Sequence, residues 1–405
     1  MKTLLHCFFA TVLVFVIIEL LNLIPLNISF LDPIELAFKD FELTDIVFSK
    51  LNDNRDLRID TNIVIVNIGQ QSRHDIARQI ERIEQYNPAV VAIDALFWRL
   101  DSSKQTSALF EAVTKHDNII LSSKIEYNQT NTDEDTIVSV KNAINGFDVS
   151  NVRHGYVNFS NVDGEFRTIR SWLPCTQYKD SMLTSFAWAV IQMYKQHSNT
   201  VHMQFDSTEL QTINYQMKRT YMRVDVQDMS DTTQDFHFLK NKIVLMSFMG
   251  TTLSDTTNYE DSFYSPLNQR YAGKSLPDIF GVEIHANCIS MSLHNDTITS
   301  WSDTTMFILS FLLCFVSILM FASIEKHFEF FYDIFSKIIQ LLLSIALLTL
   351  CIWIFQKFRI KLDPTLSVGS VIISSDIYSL YNSGISAIIS KLQQYRSQKQ
   401  NRTKT

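Results

Sequence analysis

Long uninterrupted apolar runs in this chain are confined to its two ends, and that segregation limits the folds open to it more than any other feature. From Leu4 to Leu23 the residues are almost all Leu, Val, Ile, Phe and Ala, a run of about 20, the length at which a helix crosses about 30 Å of hydrocarbon. Nothing comparable follows until Thr304. There Met306 to Ile324 forms a second uncharged span, Ile338 to Phe355 a third, and a fourth begins after Asp363-Pro364 and continues to Ile389. The fourth is Ser-rich and contains Asp376, so an amphipathic interfacial helix is its alternative. At the N-terminus, a cleaved signal peptide would have a shorter apolar core and a small-residue exit. The exit here is Asn22-Leu23-Ile24-Pro25, which favours an uncleaved anchor.

Four spans place both termini and the loop from Glu325 to Lys337 on one side. That side collects Lys2, Lys326, Lys337, Lys391, Arg396, Lys399, Arg402 and Lys404, against Lys357, Arg359 and Lys361 on the other. The positive-inside tendency then puts the termini in the cytoplasm and the long intervening segment outside. The expected organisation is an anchor at 1–24, an extracytoplasmic domain at 25–303, three helices at 304–389 and a short basic tail at 390–405. Glu19 and Asp376 lie inside apolar segments, where a carboxylate snorkels to the interface or faces a protein partner. Both are candidate intramembrane partner contacts.

The mean hydropathy of +0.04 averages these spans with a polar domain, and the net charge of −7 gives no reason to expect a nucleic acid partner. The domain reads as α/β. Thr61-Asn62-Ile63-Val64-Ile65-Val66-Asn67-Ile68 is a buried-type strand, Ser72 to Tyr86 carries Ile76, Ile80 and Ile83 at helical spacing, and Ala89 to Asp94 is a second strand. Together they form a βαβ unit that implies parallel pairing. A helix at Thr106–Lys115, a strand at Asn118–Ile125, a helix at Met182–Lys195, a strand at Lys242–Met246 and a helix opening at Gly281 continue the alternation. Gly155–Phe159 and Phe166–Arg170 flank Asp163-Gly164, a hairpin turn dipeptide. The fold class expected is therefore a mostly parallel α/β sheet with an added hairpin, plus four transmembrane helices.

In this order the features resemble a CHASE2 domain. After the anchor come Thr44-Asp45-Ile46-Val47-Phe48, the Ile-Val-Ile-Val strand, Val90-Val91-Ala92-Ile93-Asp94 with Phe97, and Gly155-Tyr156-Val157-Asn158 with Asp163-Gly164 and Arg167. The late block runs from Leu239-Lys240-Asn241-Lys242-Ile243-Val244-Leu245 through Gly250-Thr251-Thr252, Asp261 and Ser265-Pro266 to Gly281-Val282-Glu283-Ile284-His285-Ala286. The resemblance implies a sensory extracytoplasmic domain of bacterial inner-membrane receptors, which normally signal to a cytoplasmic kinase, cyclase or diguanylate enzyme. Two departures stand out. The residues after the last span are too few for a folded output domain, and Gln70-Gln71-Ser72-Arg73-His74 replaces the family's Trp-Pro-Arg-like approach.

Motifs for chemistry are missing. No G-x-G-x-x-G, Walker A, G-x-S-x-G or H-E-x-x-H occurs, so the chain is expected to be neither an enzyme nor a metal or cofactor protein. Five Cys without a C-x-x-C spacing leave a Cys175–Cys288 disulfide open. His285 reads as a capping or packing residue, with pH sensing the alternative. A ligand site is expected beyond the C-terminal strand ends of an open α/β sheet, where Asn67, Gly69, Asp94, Gly250 and Thr251 fall; Asp261, Glu283 and Arg167 could join them through loops. Two functions follow: a sensor that acts through other membrane or periplasmic proteins or a second copy of itself, or a structural docking module of an envelope complex.

Overall fold

A computed structural model describes residues 2–23, 42–51, 59–98, 103–128, 136–144, 148–159, 168–198, 206–215, 221–255, 257–268 and 275–402. The chain separates into two compact units, Ile34–Ile298 and Met1–Pro33 with Thr299–Thr405.

In the first unit the β-branched run becomes β1 (Asp60–Asn67), followed by α1 (Arg73–Glu84), β2 (Val90–Asp94), α2 (Ser103–Lys115), β3 (Ile119–Asn128), β4 (Thr136–Asn142), β5 (Arg153–Tyr156), α3 (Phe186–His197), β6 (Tyr221–Val224), β7 (Ile243–Ser247) and α4 (Gly281–Leu293). Among the described residues these seven strands form the main sheet, in the order β6-β1-β7-β2-β3-β4, with β5 also paired to β3. All its pairings are parallel except β3 with β4.

The expected βαβ unit is parallel, but β1 and β2 are not neighbours: β7 lies between them, with Val64 opposite Val244 and Val244 opposite Val91. Every residue of β7 is buried, so this strand needs a partner on each side and a helix layer on each face. Alternation within β1 serves both layers. Val64 and Val66 join Ile76, Ile80 and Ile83 of α1 and Leu109 and Val113 of α2 in one core. On the other face α3 packs on β2, β3 and β5, and α4 packs on β1 and β7. Ser72 caps α1, its Oγ accepting from Asp75 N at 3.2 Å, as the onset of the Ile periodicity requires.

Two expectations are corrected. The helix assigned to Met182–Lys195 begins at Phe186 because Ser185 is its N-cap; Ser181–Thr184 instead pairs back on Cys175–Tyr178 through a turn with Lys179 at φ +52°. Among the described residues of its flanks, Gly155–Phe159 and Thr168–Arg170, the expected Asp163-Gly164 hairpin shows no pairing of one flank with the other. Arg153–Tyr156 runs parallel to β3, Ser171–Trp172 pairs with Gln211–Thr212, and the turn itself, with Arg167, lies outside the described residues. The hairpin of the sheet is β3–β4. The two cysteines left open as a disulfide, Cys175 and Cys288, are both buried free thiols.

The Thr44-Asp45 motif also acquires a purpose. Arg170 donates from its guanidinium to both carboxylate oxygens of Asp45, at 3.0 and 2.7 Å, and Asp45 in turn accepts from Glu42 N at 3.0 Å. A bidentate pair of this kind fixes orientation as well as proximity, so it ties the short helix Leu43–Ile46 to the strand-forming segment around Ser171.

The second unit contains α5 (Lys2–Asn22), α6 (Asp303–His327), α7 (Tyr332–Phe358) and α8 (Thr365–Arg402). Among the described residues, three helices are long and apolar enough to cross a membrane: Thr3–Asn22, Asp303–His327 and Tyr332–Phe358. The fourth expected span is helical but below that apolarity. Four of its serines are inward: Ser367, Ser370, Ser374 and Ser375 are buried on one stripe of α8. Ser367 and Ser310 share a 2.7 Å hydroxyl contact, and Gln340 donates to Ile372 O at 2.6 Å. Small residues let helices approach closely where lipid supplies no hydrophobic drive between them. Asp376 meets Lys337 of α7 at 2.6 Å, so its carboxylate has a counter-ion within the unit. Glu19 is on the exposed face of α5.

The crossing of β5 with α3 is the tightest point in the sheet's surroundings. A Cβ on Gly155 would stand 2.4 Å from Phe186 Cα and 2.8 Å from Ser185 O, both backbone atoms that have no room to turn aside. Gly155→Ala is expected to destabilise the protein by about 3 kcal/mol, read as a fall in melting temperature of the full chain in detergent.

Candidate functional site

The parallel register determines which side chains meet at the C-terminal edge of the sheet. Asn67 ends β1 opposite Ser247 of β7, and Ser247 lies opposite Asp94 of β2, so three polar residues cross the edge in one line. Ser247 Oγ donates to Asp94 O at 3.0 Å.

Asn67, fully buried, is a structural clamp. Its Oδ1 accepts from Gly69 N at 3.0 Å and from Met249 N at 2.9 Å; its Nδ2 donates to Asp225 Oδ1 at 3.0 Å and Gly250 O at 3.1 Å. Asp225, which sequence reasoning missed, also accepts from Leu253 N at 2.9 Å. The loops after β1, β6 and β7 are thereby locked together, with Gly69 at φ +55° and Gly250 at φ +96° supplying left-handed backbone, open to Gly at little cost. The signal for Asp225 was present: it follows a short alternating strand and opens a helical turn, which is N-cap chemistry. Thr251 is exposed and donates to Asp255 Oδ2 at 3.2 Å.

The second cluster centres on Asp94. Its side chain is 11% exposed, and Oδ2 lies 4.0 Å from Nε2 of His285, beyond hydrogen-bond range. Asp261 is the other carboxyl beside it. Burial pushes Asp94 well above the usual carboxylate range, and the nearby Asp261 charge pushes it further. Asp261 is raised to about 7, by burial first and by Glu260 second. Burial also holds the His285 imidazole down to about 3, so it is neutral at pH 7. Aromatic rings enclose the histidine: Phe159 at 4.7 Å and Phe186 at 5.1 Å between centroids. Phe159 also meets Phe263 at 5.4 Å.

Gly281, the first residue of α4, makes this closure possible. A Cβ there would lie 3.1 Å from the Phe263 ring and 3.2 Å from Asp261 Oδ2. Its N–H donates to Asp261 O at 3.0 Å, and Asp261 itself holds φ +57°, a left-handed conformation in which a non-Gly residue is strained.

The expected site residues therefore fall into separate groups. Asn67, Gly69 and Gly250 belong to the clamp, with Thr251 on its solvent side; Asp94 and Asp261 converge. Glu283 does not join them. It caps α4 through Phe280 N at 3.1 Å and pairs with Arg223 of β6, an arginine that sequence reasoning passed over. Among the described residues no group of three or more His, Cys, Asp and Glu is placed to hold a metal ion.

Two predictions follow from the two clusters. Asn67→Ala strands two backbone N–H groups, a carbonyl and a carboxylate oxygen, and is expected to cost about 2–4 kcal/mol of stability in chemical denaturation. The carboxyl pair imposes a pH dependence of known sign. A carboxyl whose folded pKa exceeds its unfolded value favours the folded state in its protonated form, and that stability is lost as pH rises through the folded pKa. His285 has the opposite effect: held neutral in the fold, it penalises folding below pH 6.5 and down to about 3. The melting temperature is thus expected to rise on acidification from pH 8 to 6.5, where His285 contributes little, and the double variant Asp94→Asn/Asp261→Asn to flatten that rise.

Comparison with known families returned a match to the CHASE2 domain over residues 10–321. Searches of curated proteins and of solved structures gave no match. The matched stretch takes in the later part of the first apolar helix, the whole α/β unit and most of α6, and on that extent the chain belongs to the CHASE2 domain family, whose domain is a sensory extracytoplasmic one.

Proposed function

We propose that this chain is the sensory subunit of a bacterial inner-membrane signalling system, binding a small ligand at the C-terminal edge of its sheet and acting through a separate partner protein. The observation that carries the ligand reading is the Asp94–Asp261 pair: two neighbouring carboxyls at the edge of the sheet, both pushed toward the protonated form by burial. Perturbed carboxyls of this kind concentrate at functional edges, and the crevice beyond the C-terminal strand ends is where open α/β sheets bind ligands.

In this proposal α8 is the fourth span. The serine stripe supports it, since residues that lower its apolarity face neighbouring helices and leave Ile372 and Leu380 exposed. Both termini then lie in the cytoplasm and the α/β unit outside. Thr299–Ser300 pairs in parallel with Ile360–Lys361, so the α7–α8 loop sits at the same end of the bundle as the start of α6, as four spans require. Action through a partner is favoured by Glu19, a carboxylate on the exposed face of an apolar helix, where a neighbouring protein would supply what lipid lacks. The chain carries no reaction in this proposal.

A thermal-shift screen of the full chain in nanodiscs against a metabolite library tests it. A ligand at 100 times its Kd stabilises by about 2.7 kcal/mol, and the expected hit loses that effect in Asp94→Ala. A library-wide absence of hits, with a protein partner retained through purification, would favour the docking-module function instead.

A further inference from the structure

The Asp94–Asp261 cluster has more acceptors than donors. Around the first turn of α4 the structure gathers Asp94, Asp261, His285, Phe159 and Phe263. His285 is 3% exposed, and among the described residues no hydrogen bond reaches its ring; Nε2 faces Asp94 Oδ2 across 4.0 Å. The other ionisable groups of the surrounding elements are engaged elsewhere or only add negative charge. Glu283 on α4 is paired with Arg223, and Glu260 raises Asp261 further.

We infer that this cluster binds the primary ammonium group of a small organic ligand. The inference deepens the reading of the sheet edge as a ligand site and depends on it. A primary ammonium carries three N–H donors and no acceptor. The cluster offers three acceptors to match: one oxygen from each carboxylate and Nε2 of the neutral imidazole. The 4.0 Å gap between Nε2 and Asp94 Oδ2 is too long for those two atoms to bond. It is spanned by a nitrogen standing about 2.8 Å from each, the usual charge-assisted distance. Phe159 lies 4.7 Å from the His285 ring and 5.4 Å from that of Phe263 between centroids, aromatic surroundings that suit a cation over an anion. A quaternary ammonium has no N–H to give, so the acceptors discriminate against it.

Binding must exchange one cation for another. At pH 7 the free pair holds a proton, and an ammonium needs both carboxylates ionised, so the proton leaves to solvent as the ligand enters. Affinity is then expected to rise between pH 6 and 8.

The full chain in detergent is titrated with ethanolamine, putrescine, ethylene glycol and tetramethylammonium, by calorimetry in two buffers of different ionisation enthalpy. The expected result is binding of the two primary amines alone, with proton release, weakened at least tenfold in both Asp94→Asn and Asp261→Asn. Melting curves of these variants, which lose a buried charge and keep its shape, establish that they are folded. Equal binding of tetramethylammonium or ethylene glycol overturns the inference, as does amine binding that both variants retain. A screened neutral or acidic compound whose binding depends on Asp94 also overturns the ammonium assignment while leaving the sheet edge as the site. No Asp94-dependent binding of any compound overturns both.

Discussion

The strand Ile243–Ser247 is inserted between two strands that precede it by most of the domain, and the rest of the α/β unit depends on that insertion. Its five residues are buried, and it bridges β1 to β2 through in-register parallel pairs. Before it arrives, β1 and β2 have no shared partner and each core face is split. Its arrival also delivers Ser247 between Asn67 and Asp94 and brings Met249 and Gly250 within reach of the Asn67 amide. Closure of the apolar core and assembly of the polar edge are one event, joined at long sequence separation, which makes for slow folding.

Three other carboxylates of the described residues have a basic partner. Asp45 has Arg170, Glu283 has Arg223, and Asp376 has Lys337. Against that background the buried carboxyls of Asp94 and Asp261 stand out, since both are held above the usual range by burial and by neighbouring negative charge. These two lie near each other at the edge of the sheet, and the left-handed Asp261 adds backbone strain at the same point. Concentration of electrostatic and conformational cost in one place is the usual mark of a site kept for binding.

Much of this was legible from residue order. The Ile76-Ile80-Ile83 spacing, the β-branched run before Gly69 and the apolar runs at both ends located helices, strands and spans within a few residues. The position of β7 was not legible, because an apolar pentamer says that a strand is buried on both sides but not between which neighbours. The Ser185 cap was visible in principle, yet the apolar residues before it, Met182 and Leu183, extend the helical pattern across a ribbon. Asp94 and Asp261 could be named as edge candidates from strand ends and loop proximity. That Glu283 would instead pair with Arg223 depended on an edge strand, Tyr221–Val224, too short to carry a periodic signal. The serine stripe of α8 shows a limit of mean hydropathy: an average over the circumference counts the buried Ser367, Ser370, Ser374 and Ser375 as it would exposed ones.

The two-residue pairing of Thr299–Ser300 with Ile360–Lys361 has a mechanical meaning. Thr299 is the first residue after the α/β unit, and the chain runs from it directly into α6. Ile360 and Lys361 form the link between α7 and α8. Joining these two short segments yokes three helices at one end of the bundle, so that a pull or twist on the chain at Ile298 is shared among α6, α7 and α8 instead of being absorbed by bending one of them.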